Sequence, residues 1–122
     1  MKTILLIEDD TLMMKIMIKI LSGQNYLLDT AFDGKQAFQK LDYMNYSFDL
    51  VITDILMPYS NGFEIVSKIK EHPRQNNMPV IMISAINNEE IMADVYKVGA
   101  NDYLRKPLKA TDLLTSVRTL LN

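Results

Sequence analysis

The chain has 122 residues, and 48% of them are hydrophobic, which predicts a single domain over residues 1–122 with one sizeable core. Its 13 basic and 15 acidic side chains give a net charge of −2, which argues against direct binding of nucleic acid or of an anionic membrane. The absence of cysteine excludes disulfides, thiolate metal ligands and cysteine nucleophiles, and it suits a reducing compartment, so we expect a cytoplasmic protein.

Five short apolar runs predict five β-strands. In chain order, the runs are Thr3–Ile7, Tyr26–Ala31, Leu50–Thr53, Val80–Ile83 and Tyr103–Leu104. Glu8 ends the first run well short of a signal-peptide core or a membrane span, so we interpret that run as a buried strand. Most runs are continuous rather than alternating, which indicates burial on both faces, as in a parallel sheet covered by helices.

Helical patterns lie between the runs. The first has inward-facing positions predicted at Met13, Ile16, Met17, Ile20 and Leu21, and the last has them at Leu113, Leu114, Val117, Leu120 and Leu121. Three shorter patterns are Ala37 with Leu41, Ile65 with Ile69, and Ile91 with Val95 and Val98. The alternation of strands and helices predicts a (βα)5 α/β fold, in which right-handed crossovers place helices on both faces of one doubly wound parallel sheet.

Polar residues that could carry chemistry stand where the predicted strands end. They are Glu8, Asp9 and Asp10 after the first strand, Asp54 after the third, Ser84 after the fourth and Lys106 after the fifth. Ligands of such sheets bind outside the carboxyl ends of the strands, so we expect these side chains to converge at one edge. Each position alone is more readily explained as a turn former or a helix cap, and it is their shared edge that favours a site.

Electrostatics predicts what this site would bind. Two carboxylates about 4 Å apart repel by roughly 4 kcal/mol at an effective dielectric constant of about 20, so the acidic cluster needs cations. Lys106 cancels one charge, and a divalent ion in an all-oxygen shell, the shell that Mg²⁺ prefers, would cancel two more. Such a site suits a phosphoryl group, and the carboxylate of Asp54 could be the nucleophile that accepts it.

The motifs resemble the receiver domain of two-component response regulators, the CheY-like family, over the whole chain. This resemblance implies a flavodoxin-like sheet with strand order 2-1-3-4-5. The matching residues are Ile-Glu-Asp-Asp at 7–10, Asp-Ile-Leu-Met-Pro at 54–58 with Gly62, Ser-Ala at 84–85, Gly-Ala at 99–100 and Asp-Tyr-Leu-Arg-Lys-Pro at 102–107.

The resemblance also implies the metal ligands. Asp54 would accept the phosphoryl group, Asp9 would ligate Mg²⁺ directly, and Glu8 would reach the ion through water. The backbone carbonyl of Leu56 would be a further ligand, and Mn²⁺ could replace Mg²⁺. Asp10 has no role in the family, and we interpret it as a helix N-cap.

Three further residues have implied roles in the switch. Ser84 would hydrogen-bond a phosphoryl oxygen and move toward it, and Lys106 would pair with another oxygen. Tyr103 would change rotamer as the loops tighten. The Lys106–Pro107 bond is similar to one that is cis in the family, and Gly62 would permit a tight entry into the next helix.

Two positions that would flank the phosphoryl group have apolar rather than polar side chains. They are Leu56, two residues after Asp54, and Ile86, two residues after Ser84. We expect them to slow the attack of water on the phosphorylated aspartate.

The resemblance implies protein partners of two kinds. A sensor histidine kinase or a histidine phosphotransfer protein would donate the phosphoryl group, docking on the first helix at Met14 and Ile18 and on Pro107 and Leu108. The alternative is that the apolar pair on this helix has no docking role, since single exposed apolar residues are common. A downstream target would contact the surface around Tyr96, Lys97, Tyr103 and Arg105, and the domain would be a monomer or a phosphorylation-dependent dimer.

Three functions compete. A signalling receiver would catalyse only its own phosphorylation and slow dephosphorylation, so it would not be an enzyme in the ordinary sense. A phosphatase with an aspartate nucleophile typically has a second acid two residues later, where this chain has Leu56. A phosphorylation-independent interaction module of the same fold is disfavoured by the intact set of Glu8, Asp9, Asp54, Ser84 and Lys106.

Overall fold

The computed structural model describes residues 1–42, 48–73, 75–86 and 88–122. These residues form strands and helices in strict alternation, which confirms the predicted (βα)5 organisation. The elements are β1 (Lys2–Ile7), α1 (Thr11–Leu21), β2 (Tyr26–Ala31), α2 (Gly34–Asp42), β3 (Leu50–Asp54), α3 (Gly62–Glu71), β4 (Val80–Ser84), α4 (Glu89–Val98), β5 (Asp102–Arg105) and α5 (Ala110–Leu121).

The strands form one parallel sheet in the order β2-β1-β3-β4-β5, as the resemblance implied. Every residue of β3 and β4 is buried, which explains why these two runs are continuously apolar rather than alternating. Both strands extend one residue further than predicted, to Asp54 and Ser84. The ladder continues there because Ile55 N donates to the carbonyl of Ile83 at 3.0 Å.

The core has two layers, one on each face of the sheet. One layer lies under α2, α3 and α4 and contains Leu5, Ile7, Val51, Val66 and Ile69. The other lies under α1 and α5 and contains Ile4, Leu6, Met17, Leu113 and Val117. Successive residues of β1 alternate between the two layers, as the pleat of a strand requires. Among the described residues, no helix is long and apolar enough to cross a membrane.

The orientation of α1 differs from the prediction. Met14 is only 2% exposed and Ile18 is partly buried against the core, so the proposed docking pair faces inward and this prediction is wrong. Ile16, which was expected in the core, is 37% exposed, and Leu12 is 67% exposed.

The physical reason lies in the composition of α1. Only Thr11, Lys15 and Lys19 interrupt its apolar residues, so the apolar spacing fits more than one rotation of the helix. The two lysines lie on one side and are exposed, and the opposite side packs into the core through Met14, Met17 and Leu21.

Candidate functional site

Three carboxylates meet at the carboxyl edge of the sheet. Glu8 directly follows β1, Asp9 is the next residue, and Asp54 ends the neighbouring strand β3. One carboxylate oxygen of each residue lies within 4.8 Å of the other two, and we call this group the acidic pocket. Glu8 is 1% exposed and Asp54 is 8% exposed, whereas Asp9 faces solvent. The predicted convergence of these residues is therefore confirmed.

Lys106 binds two members of the acidic pocket. It follows β5, and its Nζ donates to Glu8 Oε1 at 2.8 Å and to Asp54 Oδ2 at 2.9 Å. The Lys106–Pro107 peptide bond is cis, as the resemblance implied. One ammonium therefore links residues that are 98 and 52 positions away in the sequence.

Burial changes the protonation of this cluster. Removal of the Glu8 carboxyl from solvent, together with the nearby Asp54 carboxyl, raises the pKa of Glu8 to about 7, although the hydrogen bond from Lys106 opposes the shift. Burial also disfavours the charged form of Lys106, but its hydrogen bonds to Glu8 and Asp54 outweigh that effect and raise the pKa of the ammonium. Lys106 is therefore cationic, and it compensates the two buried carboxylates only in part.

The acidic pocket fits a divalent cation. When its three carboxyls are ionised, they carry three negative charges against the single positive charge of Lys106. The donors are carboxylate oxygens, which suit Mg²⁺ or Mn²⁺, and the exposure of Asp9 leaves room for water ligands. Leu56, whose carbonyl is the implied fourth ligand, lies in the loop that begins directly after β3, and its side chain is 61% exposed.

Ser84 and Tyr103 meet at the loop after β4. Ser84 is 1% exposed, and its Oγ accepts a hydrogen bond from Ile86 N at 3.0 Å. Tyr103 is 7% exposed, and its hydroxyl donates to the carbonyl of the same Ile86. Ser84 and Tyr103, both predicted site residues, therefore each form a hydrogen bond with the backbone of Ile86 in this loop.

The backbone around Asp54 is tightly constrained. Thr53 Oγ1 donates to the Asp54 carbonyl at 3.0 Å, and a Cβ at position 62 would lie 2.5 Å from that same oxygen. Gly62 is thus required for the close entry into α3, as predicted. The predicted cap of α1 is also confirmed, because Asp10 Oδ1 accepts from Leu12 N at 2.8 Å and from Met13 N at 3.1 Å.

The predicted output surface is largely exposed. Tyr96 is 48% exposed, and Lys97 and Arg105 face solvent, whereas Tyr103 is buried and lies outside that surface. Tyr96 donates from its hydroxyl to Asp102 Oδ1 at 3.4 Å, which links α4 to β5.

Sequence reasoning missed a contact that braces the loop after β3. Gly34, the first residue of α2, lies against Ser60, and a Cβ at position 34 would come within 2.3 Å of the Ser60 Cβ. Nothing in the local sequence marks this contact, because the two residues are close only once the sheet has formed.

A parallel five-stranded sheet with an acidic pocket and a lysine at its carboxyl edge defines a class of signalling domain. The chain belongs to the response regulator receiver domain family, whose family model matches residues 4–118. The fold and the two-component signalling class implied by the resemblance are therefore confirmed.

Relatives and solved structures agree with this assignment. Response regulator RppA of Synechocystis is 34% identical over 96% of this chain and 49% of its own length. The crystal structure of a regulator from Chloroflexus aurantiacus matches with a TM-score of 0.91 and 29% identity, over 98% of this chain and 97% of that one. A phosphorylated cyanobacterial phytochrome response regulator, RcpA, matches with a TM-score of 0.82 and 28% identity, over 98% and 90%. This chain spans about half the length of the curated relatives it matches.

Proposed function

We propose that this domain accepts a phosphoryl group onto Asp54 from a phosphohistidine donor, in a Mg²⁺-dependent reaction, and that phosphorylation changes its partner-binding surface. One observation carries the proposal. Asp54 lies in the acidic pocket with Glu8 and Asp9, and its Oδ2 pairs with Lys106 at 2.9 Å. A carboxylate held beside a cation and beside divalent-metal ligands is arranged to receive a phosphoryl group.

The transfer can be written for the groups of this chain. A carboxylate oxygen of Asp54 attacks phosphorus, a new O–P bond forms, and the N–P bond to the donor imidazole breaks, so that the histidine leaves with the bonding electrons. Lys106 compensates the negative charge beside Asp54, and Ser84 can donate its hydroxyl proton to a phosphoryl oxygen. Asp9, Asp54 and the Leu56 carbonyl would hold Mg²⁺, Glu8 would reach it through water, and the ion would supply positive charge that compensates the phosphoryl oxygens.

The comparisons support this proposal at the level of the family. Receiver domains of response regulators interact with sensor kinases and downstream effectors. The solved structure of RcpA, which this chain resembles, is of a phosphorylated regulator. For this chain, we propose a histidine kinase or a histidine phosphotransfer protein as donor, a protein target as receiver of the signal, and a monomer or a phosphorylation-dependent dimer as its assembly.

Intact-mass measurement tests the proposed function. The protein is incubated with MgCl₂ and acetyl phosphate, a small phosphodonor, and its intact mass is measured by mass spectrometry over time. We expect one phosphoryl group per chain, lost in Asp54→Asn and in excess EDTA. Continuous release of phosphate from the donor would instead support a hydrolase, and an unchanged mass would support a phosphorylation-independent interaction module.

A further inference from the structure

The loop between β3 and α3 presents the implied carbonyl ligand Leu56, and its shape is fixed at both ends. Ile55 N donates to Ile83 O at 3.0 Å, and Gly62 N donates back to Ile55 O at 2.8 Å, which closes residues 55–62 into a compact loop. Leu56 is the first residue inside this closed loop. A displacement of the loop would therefore also move the Leu56 carbonyl.

The far side of the loop rests on the start of α2. Gly34 N donates to the carbonyl of Pro58, at 3.5 Å, and Gly34 itself is buried. A Cβ at position 34 would lie 2.3 Å from the Ser60 Cβ and 3.2 Å from the Ser60 Cα. These atoms belong to the backbone or are attached directly to it, so rotation of a flexible side chain cannot relieve the overlap.

The loop contains a strained residue that its own packing does not explain. Tyr59 has a φ of 71°, which is unusual for a bulky residue, and yet it is 83% exposed. The next residue, Ser60, is only 6% exposed, and its Oγ donates to Glu64 Oε2 at 2.9 Å. Burial of Tyr59 does not offset the strain, whereas the turn at Tyr59 leads directly into the buried Ser60.

We propose that Gly34 is a positioning residue for the metal site: its missing side chain lets Ser60 pack against α2, which fixes the position of the loop that carries Leu56, whose carbonyl is the implied ligand. This inference rests on the proposed function, because it concerns the metal that phosphorylation requires. Gly34 is not one of the implied metal ligands. It begins α2, directly after the edge strand β2, and no role in the site was predicted for this segment.

Gly34→Ala tests the proposal. Its Cβ would lie 2.3 Å from the Ser60 Cβ, so Ser60 must move away, which displaces the loop while leaving Glu8, Asp54 and Lys106 on their strand ends. We expect Mg²⁺ to bind on the order of tenfold more weakly, in line with other changes to groups that orient metal ligands. The readout is an NMR titration of the purified protein with MgCl₂, followed through the backbone amide signals of residues 8, 9 and 54.

Two double variants separate the overlap from other effects. Gly34→Ala with Ser60→Gly removes the opposing Cβ, and we expect its Mg²⁺ affinity to return to within about threefold of that of Ser60→Gly alone. Gly34→Ala with Ser60→Ala keeps the overlap but loses the hydroxyl, so its affinity should stay low. Rescue by glycine and not by alanine is the signature of a steric role.

Gly23→Ala is a matched control for general destabilisation. Gly23 has a φ of 79° and no atom within 4 Å of its missing Cβ, and it follows α1 at the opposite edge of the sheet. We expect this variant to lower the melting temperature without changing Mg²⁺ affinity. If Gly34→Ala binds Mg²⁺ as tightly as the wild type does, the positioning role is wrong and the proposed function stands. If the wild type itself shows no saturable Mg²⁺ binding at the acidic pocket, both are wrong.

Discussion

Glu8 and Asp9 are adjacent in the chain but differ sharply in environment. The Glu8 carboxyl is almost fully buried, and its pKa is raised from an ordinary 4.5 to about 7, mainly by loss of solvation. In the metal-free protein, the folded state therefore holds a proton that the unfolded state releases at lower pH. A divalent cation in the acidic pocket, which Glu8 would reach through water, would favour the ionised carboxylate and so oppose protonation of Glu8.

The raised pKa of Glu8 predicts how the stability of the metal-free protein depends on pH. Between about pH 4.5 and pH 7, the folded state binds more protons at Glu8 than the unfolded state does, so this residue's contribution to stability falls as pH rises. We expect the free energy of unfolding of the metal-free wild type, relative to Glu8→Gln, to decrease across this range. Thermal unfolding in EDTA at a series of pH values measures it. A difference between the two proteins that does not change with pH would contradict the raised pKa.

A second prediction at the residue scale concerns Leu56. Its side chain is 61% exposed two residues after Asp54, the proposed phosphoacceptor, and an apolar group cannot position an attacking water molecule by hydrogen bonding. We expect Leu56→Asn to accelerate loss of the phosphoryl group several-fold, because an amide can hydrogen-bond that water. The decay of the phosphorylated mass after removal of donor measures the rate. Leu56→Met is the apolar control, and equal decay in all three proteins would exclude this role of Leu56.

Individual site residues were predictable to different degrees. Glu8, Asp54 and Lys106 were found from the sequence because each stands at the end of an apolar run, where a parallel sheet exposes its ligand-binding edge. Contacts that depend on loop conformation could not be found in this way. The hydrogen bond from Tyr103 to the Ile86 carbonyl and the close approach of Gly34 to Ser60 arise only after the elements pack.

At the scale of the elements, α1 shows the limit of apolar periodicity. Apolar residues occupy most positions of this helix, so their spacing does not select one buried face. The positions of Lys15 and Lys19 identify the side of α1 that faces solvent, because long charged side chains are rarely buried. The strands were predicted more closely because continuous apolar runs in a doubly covered sheet leave no choice of face.

The observed orientation of α1 predicts unequal effects of truncation. Met14 is 2% exposed and packs in the core layer under α1 and α5, so Met14→Ala should lower the free energy of unfolding by about 2–4 kcal/mol. Leu12 is 67% exposed, and Leu12→Ala should change it by less than about 0.5 kcal/mol. Urea unfolding of the two variants checks this difference. Equal losses of stability would show that α1 is rotated from the orientation described.

A docking test on α1 must also follow this orientation. The exposed apolar residues of the helix are Leu12 and Ile16, which are four positions apart and lie on one side. A charge at Met14 would enter the core and unfold the domain rather than report on a partner.

At the scale of the whole molecule, topology assembles the site. The order β2-β1-β3-β4-β5 makes β1 and β3 neighbours, which brings Glu8 and Asp9 beside Asp54. Lys106 follows the edge strand β5, and its long side chain reaches Asp54 across the end of β4. Parallel strands and right-handed crossovers predict that the strand ends share one edge, whereas the order of the strands came from the resemblance and not from periodicity.

Reduction with borohydride tests the central claim most directly, because it converts an aspartyl phosphate to homoserine and marks the acceptor permanently. The protein is phosphorylated with acetyl phosphate and MgCl₂, reduced, digested and sequenced by mass spectrometry. We predict homoserine at residue 54 and at no other aspartate. Homoserine at Asp9 or Asp10, or phosphorylated protein that yields no homoserine, would contradict the assignment of Asp54 as the phosphoacceptor.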